Sequence, residues 1–206
     1  RMCWNKTTIA GRCWQSIFPP ASEMGAAQKR LLFVNGTMGA GKSATCAALL
    51  KQMQPAVFLD GDWCWNMQPF LVNEETKAMV TGNIVYLLRN FLRCSAYETV
   101  IFGWVMHQRE IIDGLLEQLQ DLDFRFYLFT LTLSEGALRA RLEHDIANGV
   151  RSADVIERSV ARLPFYDTMD SIKIDVSSIR PEEAAQRICG EIEPGGFCQL
   201  VHHFTG

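Results

Sequence analysis

Apolar residues arrive along this chain in short unbroken runs, separated by stretches in which they recur every three or four positions. The runs 31–34, 56–59, 98–105, 124–133 and 172–176 have the length and the branched or aromatic character of buried strands. Between them the spacing predicts helices. One carries Ala44, Ala47, Ala48, Leu49 and Leu50; the next begins at Asn73 and carries Met79, Ile84, Leu87, Leu88, Phe91 and Leu92, with Gly82 expected to bend or divide it. A third, over 108–119, puts Ile111, Ile112, Leu115, Leu116 and Leu119 on one face. Ser134 precedes a charged helix that gives way at Asn148-Gly149, Asp154 is placed to cap a helix stopping near Pro164, and Pro181 opens a last one. Strands alternating with helices predict an α/β fold, a mainly parallel five-stranded sheet with helices on both faces in a three-layer α/β/α sandwich.

The first run ends at Asn35-Gly36, and Gly36-Thr37-Met38-Gly39-Ala40-Gly41-Lys42-Ser43 fits G-x-x-x-x-G-K-S/T at every fixed position. A strand leads into it and a helix continues from Ala44, which is the setting a phosphate-binding loop requires. Glycines let the backbone curl so that several N–H groups converge on phosphate oxygens. The first helical turn adds unpaired N–H groups and the positive end of its dipole. Lys42 is suited to bridge the β- and γ-phosphates, and the Ser43 hydroxyl to ligate Mg²⁺.

Composition narrows the class. A 206-residue chain suits one domain, and 48% hydrophobic with 21% charged residues is ordinary for a globular protein. The net charge of −3 lacks the basic footprint of a nucleic-acid binder, and no apolar run approaches a membrane span. Seven cysteines, an odd count without a C-x-x-C pair, point to reduced thiols and a cytoplasmic setting. Residues 1–23 have a different texture, with no acid before Glu23 and no periodicity; they are expected to be an extension outside the fold. The domain is expected over 24–193, and 194–206 to be a tail.

A phosphate loop establishes nucleotide binding but not its use. No N-K-x-D motif follows a later strand, which argues against a GTPase. The third strand ends Ile101-Phe102-Gly103-Trp104 without an acid, which argues against mechanochemical ATPases and favours compact phosphotransferases. The second strand delivers Asp60-Gly61-Asp62 to the carboxyl edge of the sheet, where parallel α/β folds place their ligands.

The phosphate loop, this D-G-D and the arginine-bearing region before the fifth strand resemble the small P-loop kinases, a group that includes nucleoside monophosphate, shikimate, gluconate and adenylylsulfate kinases, polynucleotide kinase and chloramphenicol phosphotransferase. LDGDWCWNMQPF, WVMH and DVIERSVARLPFY are similar to bacterial proteins described as nucleotide-kinase-like or AAA-family ATP-binding proteins. The resemblance covers about 29–192 and implies strand order 2-3-1-4-5 with a small helical lid near 145–160. It also implies ATP and Mg²⁺ as cofactors and a small-molecule acceptor, in a monomer or homodimer.

Carried over by residue, the resemblance assigns Gly36, Thr37, Met38, Gly39, Ala40, Gly41, Lys42, Ser43 and Ala44 to the nucleotide phosphates. Asp62 falls where related enzymes place the carboxylate that accepts the acceptor hydroxyl's proton, leaving Asp60 to the Mg²⁺ side; the two roles are exchangeable at this level. Arg141 matches an arginine that packs on adenine, and Arg151 lies in the lid, where a guanidinium neutralises the transferring phosphoryl group. The sequence departs from the pattern at Asp145, where a second arginine is expected; Arg158 and Arg162 are the substitutes. Trp104, His107 and Arg109 follow the third strand and are candidates to shape the acceptor site, His107 also as a base. The leading expectation is an ATP-dependent kinase acting on a hydroxyl or phosphate, with Lys42, Asp62 and Arg151 catalytic. The alternative is an ATP-binding regulator with little turnover, and polynucleotide 5′-end phosphorylation is disfavoured by the acidic balance.

Overall fold

Five parallel strands in the order β2-β3-β1-β4-β5 form the centre of the protein. They are β1 (Arg30–Asn35), β2 (Ala56–Asp60), β3 (Thr99–Gly103), β4 (Arg125–Thr132) and β5 (Ile172–Asp175). The helices are α1 (Lys42–Gln52), α2 (Glu74–Arg93), α3 (Arg109–Glu117), α4 (Glu135–Ala147), α5 (Val155–Val160), α6 (Leu163–Thr168) and α7 (Pro181–Ile192). This computed structural model describes residues 28–152 and 154–192; the expected extension 1–23 and tail 194–206 lie outside them.

The strands read as continuous apolar runs because both faces of the sheet are covered. Leu31 and Phe33 of β1 pack with Val80, Ile84 and Leu88 of α2 and Ile112 and Leu115 of α3. Leu32 and Val34 point the other way, to Cys46 and Leu49 of α1, Leu138 and Leu142 of α4, and Ala185 and Ile188 of α7. The alternation along a strand therefore feeds two cores.

The expected order and layers are present, with three local corrections. Gly82 does not divide the second helix: α2 runs unbroken over twenty residues from a reciprocal cap between Asn73 and Thr76. The helix expected to stop near Pro164 is two short helices instead. α5 ends at Val160, and Pro164 sits in the first turn of α6, where its fixed φ and missing N–H suit a helix start. Asp154 holds the N-cap position of α5 without capping it; its carboxylate accepts from Ser152 Oγ and pairs with Arg158 at 3.4 Å.

The order of the strands places the site. From β1 the chain turns through α1 to β2 on one side, and from β3 it crosses through α3 to β4 on the other, so the switch in direction lies between the carboxyl ends of β1 and β3.

Candidate active site

The loop from Gly36 to Gly41 joins β1 to α1 at that switch. Gly36, Gly39 and Gly41 have φ of 145°, 84° and 92°, all in the region that disfavours side chains. At Gly39 space is also decisive, because a Cβ would lie 2.7 Å from Leu142 Cδ2 of α4. Asn35 locks the entry to the loop. Its carboxamide oxygen accepts from the N–H groups of Gly36 and Met106, both at 2.8 Å, while Nδ2 donates to the Met106 carbonyl at 2.7 Å. This buried side chain ties β1 to the segment after β3.

Around the loop opens a cleft of about 630 Å³, lined by residues 38–45 and by Asp60, Asp62, Arg141, Asp145, Arg151 and Arg180. The nine residues assigned from sequence to the phosphates divide here: 38–44 line the cleft, whereas Gly36 and Thr37 are buried, and the Thr37 hydroxyl donates to the Ser159 carbonyl of α5 at 3.0 Å. Lys42 folds back over the loop, with Nζ donating to the Thr37 carbonyl at 3.0 Å. Burial lowers its pKa from 10.5 to about 8, and the nearby carboxylates of Asp62 and Asp60 limit the drop.

Ser43 Oγ donates to Asp60 Oδ2 at 2.5 Å, and Asp60 Oδ1 accepts from the Asp62 N–H at 3.0 Å. Asp60 is thus committed to the loop and to the turn that follows, while the Asp62 side chain faces the cleft. The Asp62 carboxyl is raised above the usual carboxylate range, first by desolvation and then by Asp60; Lys42, the nearby Trp104 indole and the charge of Arg151 pull it back. The adjacent hydroxyl and carboxylate of Ser43 and Asp60 are hard oxygen donors, and Mg²⁺ takes few protein ligands beside phosphates and waters, so these two residues fit that ion.

Arg141 and Arg151 both reach the cleft, each with a partner of its own. Arg141 donates to the carbonyls of Ala40, at 3.1 Å, and Val176, which fixes the guanidinium between the loop and β5. Arg151 Nε pairs with Asp145 Oδ2 at 2.8 Å. The carboxylate standing in place of the expected second arginine thereby holds Arg151 at the cleft, near Lys42 and Asp62. Arg158 pairs with Asp154, and Arg109 with Asp113 at 2.7 Å, and neither lines the cleft. His107 stacks edge-on with Phe165 at 6.1 Å; its pKa is lowered by burial and by Arg162.

Sequence reasoning missed several of these residues. Asn35 gave no signal beyond closing a strand, and the pairing of Asp145 with Arg151 requires the fold. Ile179, Arg180 and Pro181 line the cleft at the end of β5, and their place after the last strand was the signal available.

A family model described as an AAA domain matches residues 32–162, more than half of the chain. The chain belongs to that AAA domain family. No curated protein matches it by sequence. Among solved structures, it is similar to the tunicamycin resistance protein of Deinococcus radiodurans, with 15% identity and a TM-score of 0.58 over 80% of this chain and 96% of that one. A gluconokinase from Sinorhizobium meliloti gives 17% identity and a TM-score of 0.55, over 78% of this chain and 93% of the other. A shikimate kinase from Bacteroides thetaiotaomicron gives 19% and 0.51, over 80% and 98%. At these identities the likeness is one of fold: this AAA domain has the architecture of small P-loop kinases.

Proposed function

We propose that the protein is a phosphotransferase that uses ATP and Mg²⁺ to phosphorylate a hydroxyl or phosphate of a small molecule, with residues 24–193 as the working domain and 145–160 as its lid. The observation that carries this reading is the pair of carboxylates beside the loop: Asp60 is taken up by Ser43, and Asp62, two residues on, faces the cleft that holds Lys42.

In this reading the loop amides and Lys42 bind the ATP phosphates, and Arg141 borders the base. Ser43 and Asp60 hold Mg²⁺, which neutralises charge on the phosphate oxygens. Asp62 accepts the proton of the acceptor hydroxyl as its oxygen forms a bond to the γ-phosphorus and the bond to the β,γ-bridging oxygen breaks. Arg151 meets the charge on the equatorial oxygens. Closure of the lid excludes water, so ATP hydrolysis without acceptor is slow. Thiols at Cys46, Cys64 and Cys94, free among the described residues, support a cytoplasmic setting.

The test is ATP consumption with Mg²⁺ over a panel of nucleosides, nucleotides, sugars, aminoglycosides and other hydroxyl compounds, with Lys42→Ala and Asp62→Asn alongside. The reading requires an acceptor that raises turnover in the unmodified protein alone, with ATP still bound by Asp62→Asn. Tight ATP binding that no acceptor accelerates, and that Asp62→Asn leaves unaltered, favours the regulator.

A further inference from the structure

We infer that His144 is a nucleotide-binding residue at the rim of the cleft, held by Asn148 in the tautomer that offers Nδ1–H to the phosphate chain. The inference rests on the nucleotide-binding half of the proposed function.

His144 lines the cleft from the last turn of α4. Ala140, Arg141 and Asp145 line it too, because helical positions three and four apart share a face. The neighbours change along that face. Arg141 is fixed between the Ala40 carbonyl of the loop and the Val176 carbonyl after β5, whereas Asp145 holds Arg151. In helix order His144 stands between these two anchors.

The end of α4 is closed by hydrogen bonds. Gly149 has φ of 70°, its N–H donates to the Ile146 carbonyl at 2.9 Å, and the Val150 N–H donates to the Asp145 carbonyl at 2.9 Å. This is a Schellman closure with Asn148 at the C-cap, so the Asn148 backbone is fixed. Its carboxamide turns back on the helix: Nδ2 donates to the His144 carbonyl at 2.8 Å and lies 3.1 Å from His144 Nε2. The carbonyl decides which end of the carboxamide faces it. A carbonyl oxygen only accepts, so Asn148 must present its NH₂, and the same NH₂ meets Nε2. Nε2 therefore accepts, and in the neutral ring the proton sits on Nδ1.

One ring nitrogen is thus taken up by the protein. The other carries the proton and makes no hydrogen bond among the described residues. Phosphate oxygens are acceptors, so this tautomer suits them; with the proton on Nε2, Nδ1 would turn a lone pair toward an anion. Asn148, outside the cleft lining, acts through His144 as its positioning residue.

The first arm of the test needs neither nucleotide nor acceptor. In the full chain labelled with ¹⁵N-histidine, the His144 ring nitrogens are assigned by their loss in His144→Asn. At about pH 8, above the ordinary imidazole range, Nδ1 is expected to carry the proton, and Asn148→Ala to move it toward Nε2. An Nε2–H ring in the unmodified protein, or one indifferent to Asn148→Ala, overturns the inference. The second arm is calorimetric titration with ATP and with inorganic tripolyphosphate, both with Mg²⁺. His144→Ala is expected to weaken the two alike by about 10-fold or more, the scale of a hydrogen bond to a charged group. His144→Asn, whose amide nitrogen falls near the Nδ1 position, should recover part of the loss; His144→Gln, which reaches toward Nε2, should not. Asn148→Ala should lose less than His144→Ala. Unchanged affinity in His144→Ala, or a loss for ATP without one for tripolyphosphate, overturns this inference and leaves the phosphotransferase reading standing. If the unmodified protein binds neither ligand, that reading falls and takes this inference with it.

Discussion

The Ser43 hydroxyl donates to Asp60 at 2.5 Å, so the first turn of α1 and the last residue of β2 share one proton bridge beside the cleft. Mg²⁺ held at these oxygens would displace that proton-mediated contact. Ser43→Ala and Asp60→Asn are therefore expected to weaken ATP binding in the presence of Mg²⁺ about 10-fold or more while changing metal-free ATP binding little. Calorimetric titration with and without Mg²⁺ separates the two cases; equal losses under both conditions would place the metal elsewhere.

Lys42 supplies a pH signature. Its pKa is lowered from 10.5 to about 8 in the folded protein, so between these values the unfolded chain binds more protons and stability rises with pH. Lys42→Met should flatten that rise in denaturant midpoints measured from pH 8 to 10. Phosphates bound beside Lys42 raise its pKa again, and ATP binding at pH 8 is expected to take up about half a proton. Titrations in buffers of different ionisation enthalpy measure the uptake, and Lys42→Met should abolish it.

The pairing of Arg151 with Asp145 predicts a graded response. Removing the guanidinium in Arg151→Ala should cost about 10²- to 10³-fold in kcat, on the scale of losing one donor to a transition-state oxyanion. Asp145→Asn, which only loosens its hold, should cost less, and the double variant no more than Arg151→Ala alone. Independent, multiplying losses would show that the 2.8 Å pair has no part in aiming Arg151.

Phe33 tests the core. It is fully buried, with edge-on contacts to Phe102 at 4.9 Å and Phe126 at 5.1 Å. Phe33→Ala is expected to lower stability by about 3–5 kcal/mol, read as a shift in denaturant midpoint at unchanged slope.

What the sequence made legible was whatever repeats locally. The runs around Leu32, Ile101 and Phe129 announced strands buried on both sides, and the glycines of the loop announced their own backbone. The Pro164 boundary was misplaced because proline marks both where a helix cannot continue and where one can begin, and only packing decides between them. Ser43 with Asp60 and Asn35 with Met106 were beyond reach for another reason: each joins segments far apart in the chain, and pairing partners are set by topology rather than by local pattern. The aspartates were found because both lie on one turn at the end of one strand.

Thr37, buried at the heart of the loop, is fastened by its hydroxyl to the Ser159 carbonyl near the end of α5. A phosphate that drew on the loop amides would therefore draw on α5 as well. The same tether runs backwards: whatever grips α5 from outside alters how readily the loop takes its nucleotide, by an equal free energy. Amide exchange at 155–160, measured with and without nucleotide, reads whether the cleft and α5 are coupled in this way.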